Sequence, residues 1–149
     1  MTREIAQRMR EVRDKRGLTG AELAERMTGL GVPWDRSIVA NLENGRRQSV
    51  TVEELLALAL ILRAAPVHLI VPPDDSDAPY QVTAAVTESR FRVRSWIRGL
   101  FPLERLPGVG AVRDFWAEVP DDEFGAMQQG QCPACGGRPP RQLISKEDS

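Results

Sequence analysis

The chain has 149 residues, room for one domain of ordinary size or a small domain with an appendage. Its 42% hydrophobic and 28% charged content belongs to a soluble globular protein, and no apolar run approaches 18 residues, so no membrane span is expected. The net charge of -1 divides into +2 over residues 1–71 and -3 over residues 72–149, an imbalance too small to argue for or against a nucleic-acid partner by itself.

The first residues, Met-Thr-Arg-Glu-Ile-Ala-Gln-Arg, contain no apolar signal core, and the two cysteines fall late in the chain. A cytoplasmic protein is therefore expected. Residues 2–16 read as a helix with Ile5, Ala6, Met9 and Val12 as its apolar stripe, ended by Gly17. Thr19-Gly-Ala-Glu22 is a capping box that opens a second helix, with Ala21, Leu23, Ala24 and Met27 on its buried side. After the turn Thr28–Pro33, Asp35 is a good N-cap for a third helix that Gly45 stops. Trp34 and Val39 are spaced as a hydrophobic staple across that cap. Val39 and Leu42 point that helix at a core, and its other side carries Arg36, Ser37, Ile38, Ala40 and Asn41. Arg46-Arg-Gln-Ser49 is a polar connection. Thr51-Val-Glu-Glu54 is a second capping box, opening a fourth helix to about Arg63 with Val52, Leu55, Leu58, Ala59 and Leu62 as its core side. Leu56 and Leu60 form a further apolar line that four helices do not need. Pro66 starts a short fifth helix over residues 67–71.

At this point the pattern resembles a known family. Leu18-Thr-Gly-Ala-Glu-Leu-Ala-Glu-Arg-Met27, then Ser37-Ile-Val-Ala-Asn-Leu-Glu-Asn-Gly-Arg46, then the Leu-rich helix after Thr51, resemble the XRE family, the lambda-repressor and Cro-like helix-turn-helix regulators. The resemblance covers about residues 3–71. It implies a five-helix bundle whose third helix reads DNA. Two features depart from it. The turn between helices two and three is longer by several residues. Gly20 also stands where many members carry a phosphate-contacting Gln, which leaves more of the anchoring to backbone N–H groups.

Residues 72–79, Pro-Pro-Asp-Asp-Ser-Asp-Ala-Pro, read as a stiff, exposed linker. Residues 80–83 are expected to be extended, and a helix is expected from Val86 to Arg98. Val93, Trp96, Ile97 and Leu100 are spaced as an apolar stripe, and Arg90, Arg94 and Arg98 form a separate line. The arginine line reads as a solvated face, paired with Asp74, Asp75 and Asp77, rather than as a phosphate site. Val112, Phe115, Trp116 and Val119 repeat the stripe in a last helix closed by Pro120. Two helices are too few for an independent domain, so residues 80–124 read as an extension for dimerisation or partner binding. Residues 125–149 have the composition of a disordered tail.

The candidate chemistry is DNA recognition. Arg36, Ser37 and Asn41 can hydrogen-bond base edges, Ile38 can meet a thymine methyl, and Ala40 allows close approach. Thr19, Gly20, Arg46, Arg47, Gln48 and Thr51 fall where phosphates would run, helped by the amides that open helices two and four. Leu56, Leu60, Val93, Trp96, Ile97, Leu100, Phe115 and Trp116 are the candidate dimer or partner surface. Cys132 and Cys135 have the spacing of half a zinc ribbon, but structural zinc needs four ligands and the only histidine, His68, is distant in sequence. The pair reads as a remnant or a free dithiol; a site shared between two chains is the alternative. No metal or other cofactor is expected, and no residue constellation of an enzyme is present. The expectation is an all-α protein: a five-helix DNA-binding domain, a linker, a small helical extension and a tail. Its function would be sequence-specific regulation of transcription by a homodimer on double-stranded DNA, most simply as a repressor. The rival reading is an antitoxin or adaptor that holds a protein partner through the C-terminal helices.

Overall fold

A computed structural model describes residues 1–103 and, beyond them, Asp114, Phe115, Ala117 and Pro120. The elements run α1 (Thr2–Lys15), α2 (Gly20–Gly29), α3 (Arg36–Glu43), α4 (Val52–Ile61), α5 (Pro66–Ile70), β1 (Pro79–Gln81), β2 (Thr87–Ser89) and α6 (Arg90–Ile97). Helix starts are set by their caps. The Thr19 hydroxyl accepts from the Glu22 N–H while the Glu22 carboxylate takes the Thr19 N–H at 2.7 Å, and Thr51 and Glu54 repeat the exchange. The Asp35 carboxylate accepts from the Ile38 N–H at 2.9 Å. Each such cap stabilises its helix by about 1 kcal/mol.

The main core joins Ala6, Met9 and Val12 of α1, Leu23, Ala24 and Met27 of α2, Val39 and Leu42 of α3, and Leu58 and Leu62 from α4 and its cap. Two expected core residues are exposed instead. Ala21 is exposed in the first turn of α2, and Val52 is 73% exposed at the start of α4. The reason at Val52 is helix phase. The sequence Val-Glu-Glu-Leu-Leu-Ala-Leu-Ala-Leu-Ile is apolar nearly all round after its first turn, so periodicity does not choose a face. The capping box turns Glu54 inward instead, and Ala57 and Leu58 follow it. The long turn between α2 and α3 is packed. Gly31, at φ +84°, reverses the chain where a side chain would be strained. Val32 and Trp34 on either side of Pro33 then drop into the core, and the Thr28 hydroxyl donates to the Trp34 carbonyl at 3.0 Å.

Past α5 the all-α expectation needs correcting. β1 and β2 form a short antiparallel hairpin with Tyr80 opposite Glu88, and the expected helix from Val86 begins only at Arg90. Ser89 is the residue that switches the chain, because its hydroxyl caps α6 by accepting from the Arg92 N–H. A second core forms here from Val71, Tyr80, Val93 and Leu103, with Ile70, Val82 and Val86 against it. The Tyr80 hydroxyl donates to the Ile70 carbonyl at 3.0 Å, and burial pushes its pKa up to about 12. Residues 73–77 are exposed as expected, yet they are tied down. Arg90 pairs with Asp74 at 3.1 Å, and the Phe91 and Arg90 amides donate to the carbonyls of Ser76 and Ala78. Arg94, expected on a solvated face, is only 6% exposed; its guanidinium donates to the Pro72 carbonyl and to the Ser76 hydroxyl. In the separate C-terminal unit, Asp114, Phe115 and Ala117 are helical and Phe115 is half-buried. Val112, Trp116, Val119, Cys132, Cys135 and the tail 125–149 lie outside the described residues. Among the described residues no helix is long and apolar enough to cross a membrane.

The contact between α5 and α6 is sensitive to acid. Arg98 donates to the Nε2 of His68, which requires that nitrogen to be unprotonated. Burial, then the positive charges of Arg98, Arg94 and Arg8, hold the His68 pKa below the ordinary imidazole value. The unfolded chain therefore takes up a proton at higher pH than the folded one, and this contribution to stability is lost as pH falls below about 6.5. Thermal melts between about pH 7.5 and 5.5 should show the midpoint falling on acidification, and His68→Gln should flatten that dependence. Equal pH dependence in the two proteins would show that the contact does not titrate.

Candidate nucleic-acid interface

α3 is an eight-residue helix fixed along its inner side and at both ends. Val39 and Leu42 sit in the core. At its C-terminal end Glu43 accepts from the Arg13 Nε at 2.9 Å, and the same guanidinium donates to the Leu18 carbonyl at 2.6 Å. One arginine of α1 thereby joins the turn before α2 to the last residue of α3.

The entry to α3 and the loop leaving it meet at Glu54, which is 8% exposed. Its Oε1 accepts from the Trp34 indole at 2.8 Å and from the Arg47 guanidinium at 2.6 Å, while its Oε2 accepts from the Thr51 N–H at 2.8 Å. The Arg47 guanidinium also lies 5.4 Å from the centre of the Trp34 ring, within cation–π range. Burial pushes the Glu54 carboxyl up. The bonds from Thr51, Trp34 and Arg47 outweigh it and hold the group below the usual carboxylate range. Neither this cluster nor the Arg13–Glu43 pair is visible as a motif. Glu54 leaves a trace as the third residue of a capping box; Glu43 leaves none, since an acid at a helix C-terminus is not favoured by the helix dipole.

The outer side of α3 is open. Arg36, Ser37 and Ala40 are exposed, and Asn41 and Ile38 are half-buried. Ile38, Asn41, Arg46 and Arg47 line an open depression of about 430 Å³. Arg36 has no hydrogen-bond or ion-pair partner among the described residues. Ser37 donates to the Asp35 carboxylate at 2.6 Å, so its hydroxyl offers an outside ligand an acceptor and no donor. That bond and the one from Ile38 hold the Asp35 pKa low.

The expected phosphate-facing residues have unequal freedom. Arg46 is exposed and unpaired among the described residues. Gln48 is exposed, its side-chain amide donates to the Gly45 carbonyl at 3.1 Å and its main-chain carbonyl accepts from the Thr2 hydroxyl at 3.0 Å. Arg47 is held against Glu54 and Trp34. The amides of Thr19 and Thr51 are occupied by their own capping-box glutamates, which leaves the next amides, at Gly20 and Val52, without a partner inside their helices. Gly20 has space for a side chain: a Cβ there would meet Val39 at 3.5 Å, an ordinary contact.

The expected partner surface is divided. Leu56 is 48% and Leu60 70% exposed, and with Val52 they make one uncovered line at i, i+4, i+8 on α4. Trp96 and Ile97 are partly exposed on α6, and Leu100 is half-buried. Val93 instead lies inside the second core, because the hairpin folds over the face that the helical stripe was read to present outward.

Residues 4–69 match a family model described as a helix-turn-helix domain, a match that points to DNA binding and to the regulation of transcription. No curated protein and no solved structure matches the chain.

Removing the Glu54 carboxylate should cost more than its cap alone. Glu54→Ala strands the Trp34 indole and the Arg47 guanidinium and opens the capping box, an expected loss of about 2–3 kcal/mol in urea unfolding. Glu54→Gln keeps an acceptor and should lose less. If Glu54→Ala costs no more than about 1 kcal/mol, the cluster is not what holds the ends of α3 together.

Proposed function

We propose that the protein is a sequence-specific DNA-binding regulator of transcription of the XRE, lambda-repressor-like kind, acting as a repressor and reading the major groove with α3. The observation that carries this reading is the contrast between the two sides of α3 inside a helix-turn-helix domain: Val39 and Leu42 are packed in the core, and the side chains of Arg36, Ala40 and Asn41 have no hydrogen-bond or ion-pair partner among the described residues. An α-helix with its side chains fills a major groove of about 12 Å. Arg36 at the first helical position suits guanine O6 and N7, Asn41 suits adenine N6 and N7, and Ile38 suits a thymine methyl. Ser37, offering only an acceptor, suits an exocyclic amine. Arg46, which lines the same depression as Ile38 and Asn41, suits the phosphate backbone, as do Gln48 and the first-turn amides of α2 and α4 that have no partner inside their helices. Arg47 acts through the loop it braces.

Selection of bound sites from a random DNA pool tests the reading. Arg46→Ala should weaken binding to every duplex and flatten its salt dependence, by about 0.9 in the slope of log K against log salt for one phosphate contact. Arg36→Ala or Asn41→Ala should relax preference at one or two base pairs, by about 1–3 kcal/mol each. A protein that prefers no duplex over competitor DNA would end this reading.

A homodimer goes with it, because one such helix reads few base pairs and paired half-sites lie about one helical turn apart. The support is the bare line Val52, Leu56 and Leu60. The exposed Phe91, Trp96, Ile97 and Phe101 favour the second reading, an antitoxin or adaptor whose extension holds a protein partner. Sedimentation should show the full chain as a dimer and Leu60→Asp as a folded monomer. A full chain that stays monomeric at tens of micromolar, with and without DNA, would sink the dimer and favour the partner-binding reading.

A further inference from the structure

Arg3, Gln7 and Arg10 follow one another on α1 at i, i+4, i+7, and all three are exposed. They form one wall of an open groove of about 480 Å³, and Glu43, Asn44 and Gly45 at the end of α3 form the other. The acids of this groove are engaged internally. Glu43 accepts from Arg13 at 2.9 Å, and Glu4 takes the N-terminal ammonium at 2.6 Å. The arginines are not neutralised in the same way. Arg10 reaches Asp14 only at 3.9 Å, and Asp14 already has Arg13 at 3.0 Å. Arg3 has no ion pair or hydrogen bond among the described residues. The groove thus presents Arg3 with no anion among the described residues and Arg10 with only a long, exposed pairing to Asp14.

Its position gives the anion an identity. Gly45, at φ +70°, turns the chain from α3 directly into Arg46, which has no partner among the described residues. The Thr2 hydroxyl donates to the Gln48 carbonyl at 3.0 Å, which holds the start of α1 beside that same loop. A duplex lying on α3 and on Arg46 would carry its phosphate backbone past the mouth of the groove.

We infer that α1 is a second backbone clamp, in which Arg3 and Arg10, with the side-chain amide of Asn44, hold phosphates flanking the base pairs read by α3. This rests on the DNA-binding reading above. It extends the footprint beyond the reading helix and the α3–α4 loop to an element that contributes no base contact. Guanidinium groups are suited to the task because they donate to phosphate oxygens in a fork.

The test uses the full chain and a duplex selected by the wild type, beside a scrambled duplex. Arg3→Ala, Arg10→Ala and the double variant remove exposed side chains, so their thermal melts should match the wild type. Each arginine lost should flatten the slope of log K against log salt by about 0.9 and weaken the selected and scrambled duplexes by the same factor. Replacing the flanking phosphates with neutral methylphosphonates should weaken the wild type and leave the double variant unchanged. Wild-type affinity and slope in the double variant, with the wild type binding normally, would overturn the clamp and leave the role of α3 intact. A changed base preference in Arg3→Ala would overturn it as well. A wild type that binds no duplex would remove the reading of α3 and this one together, whereas a wild type whose preference is relaxed by Arg36→Ala or Asn41→Ala keeps the reading of α3 whatever the double variant shows.

Discussion

A carboxylate held out of water on the first turn of α4 is the constraint on which the rest of the helix-turn-helix unit depends. Burying a charge is unfavourable unless it is paired and hydrogen-bonded. Glu54 meets that condition only when three separate pieces of chain are in place: the residue before the α3 cap, the loop after α3, and the start of α4. The penalty for a missing partner makes these pieces cooperative. Together with the Arg13–Glu43 pair at the other end, this fixes α3 in direction and depth without using any side chain on its outer face.

That division explains the arrangement of charge. The arginines that touch the core side, Arg13 and Arg47, each have a carboxylate, whereas Arg36, Arg46 and Arg3 face outward with none among the described residues. A net charge of -1 for the whole chain therefore says little about the field at the α3 face. The long turn between α2 and α3 fits the same plan. Its extra residues bring Val32 and Trp34 into the core, and Trp34 supplies the indole that Glu54 needs.

Residues 71–103 follow another principle. Their core is small, and polar ties hold the chain around it: Tyr80 to the Ile70 carbonyl of α5, Arg94 to Pro72 and Ser76, and Arg90 to Asp74. The arginine line that looks like a solvated face is in part a set of internal struts. Burial, and then the charges of Arg98 and Arg94 in this line, hold the His68 pKa below the ordinary imidazole value.

Local chemistry by itself determined much of residues 1–71. The capping boxes at Thr19 and Thr51, the Asp35 cap and the glycines 17 and 45 mark helix ends by interactions within three or four residues, and the stripe Ile5, Met9, Val12 and the pair Val39, Leu42 are one-face patterns that any core would bury. The open face of α3 followed from the same periodicity. What depends on distant residues was not legible. α4 is apolar on most sides, so only the packed structure put Glu54 and Ala57 inside and left Val52 out, whereas Leu58, Ala59 and Leu62 are buried as read. Arg47 looks like any loop arginine until Glu54 and Trp34 are brought to it from seven and thirteen residues away. Thr87–Ser89 reads as the first turn of a helix, and becomes a strand because Pro79–Gln81 offers it an edge to pair with. Val93 moved from surface to core for the same reason. Short-range hydrogen bonds are written in the order of residues; the partner of a buried charge and the cover of an apolar face are supplied by segments that only folding brings together.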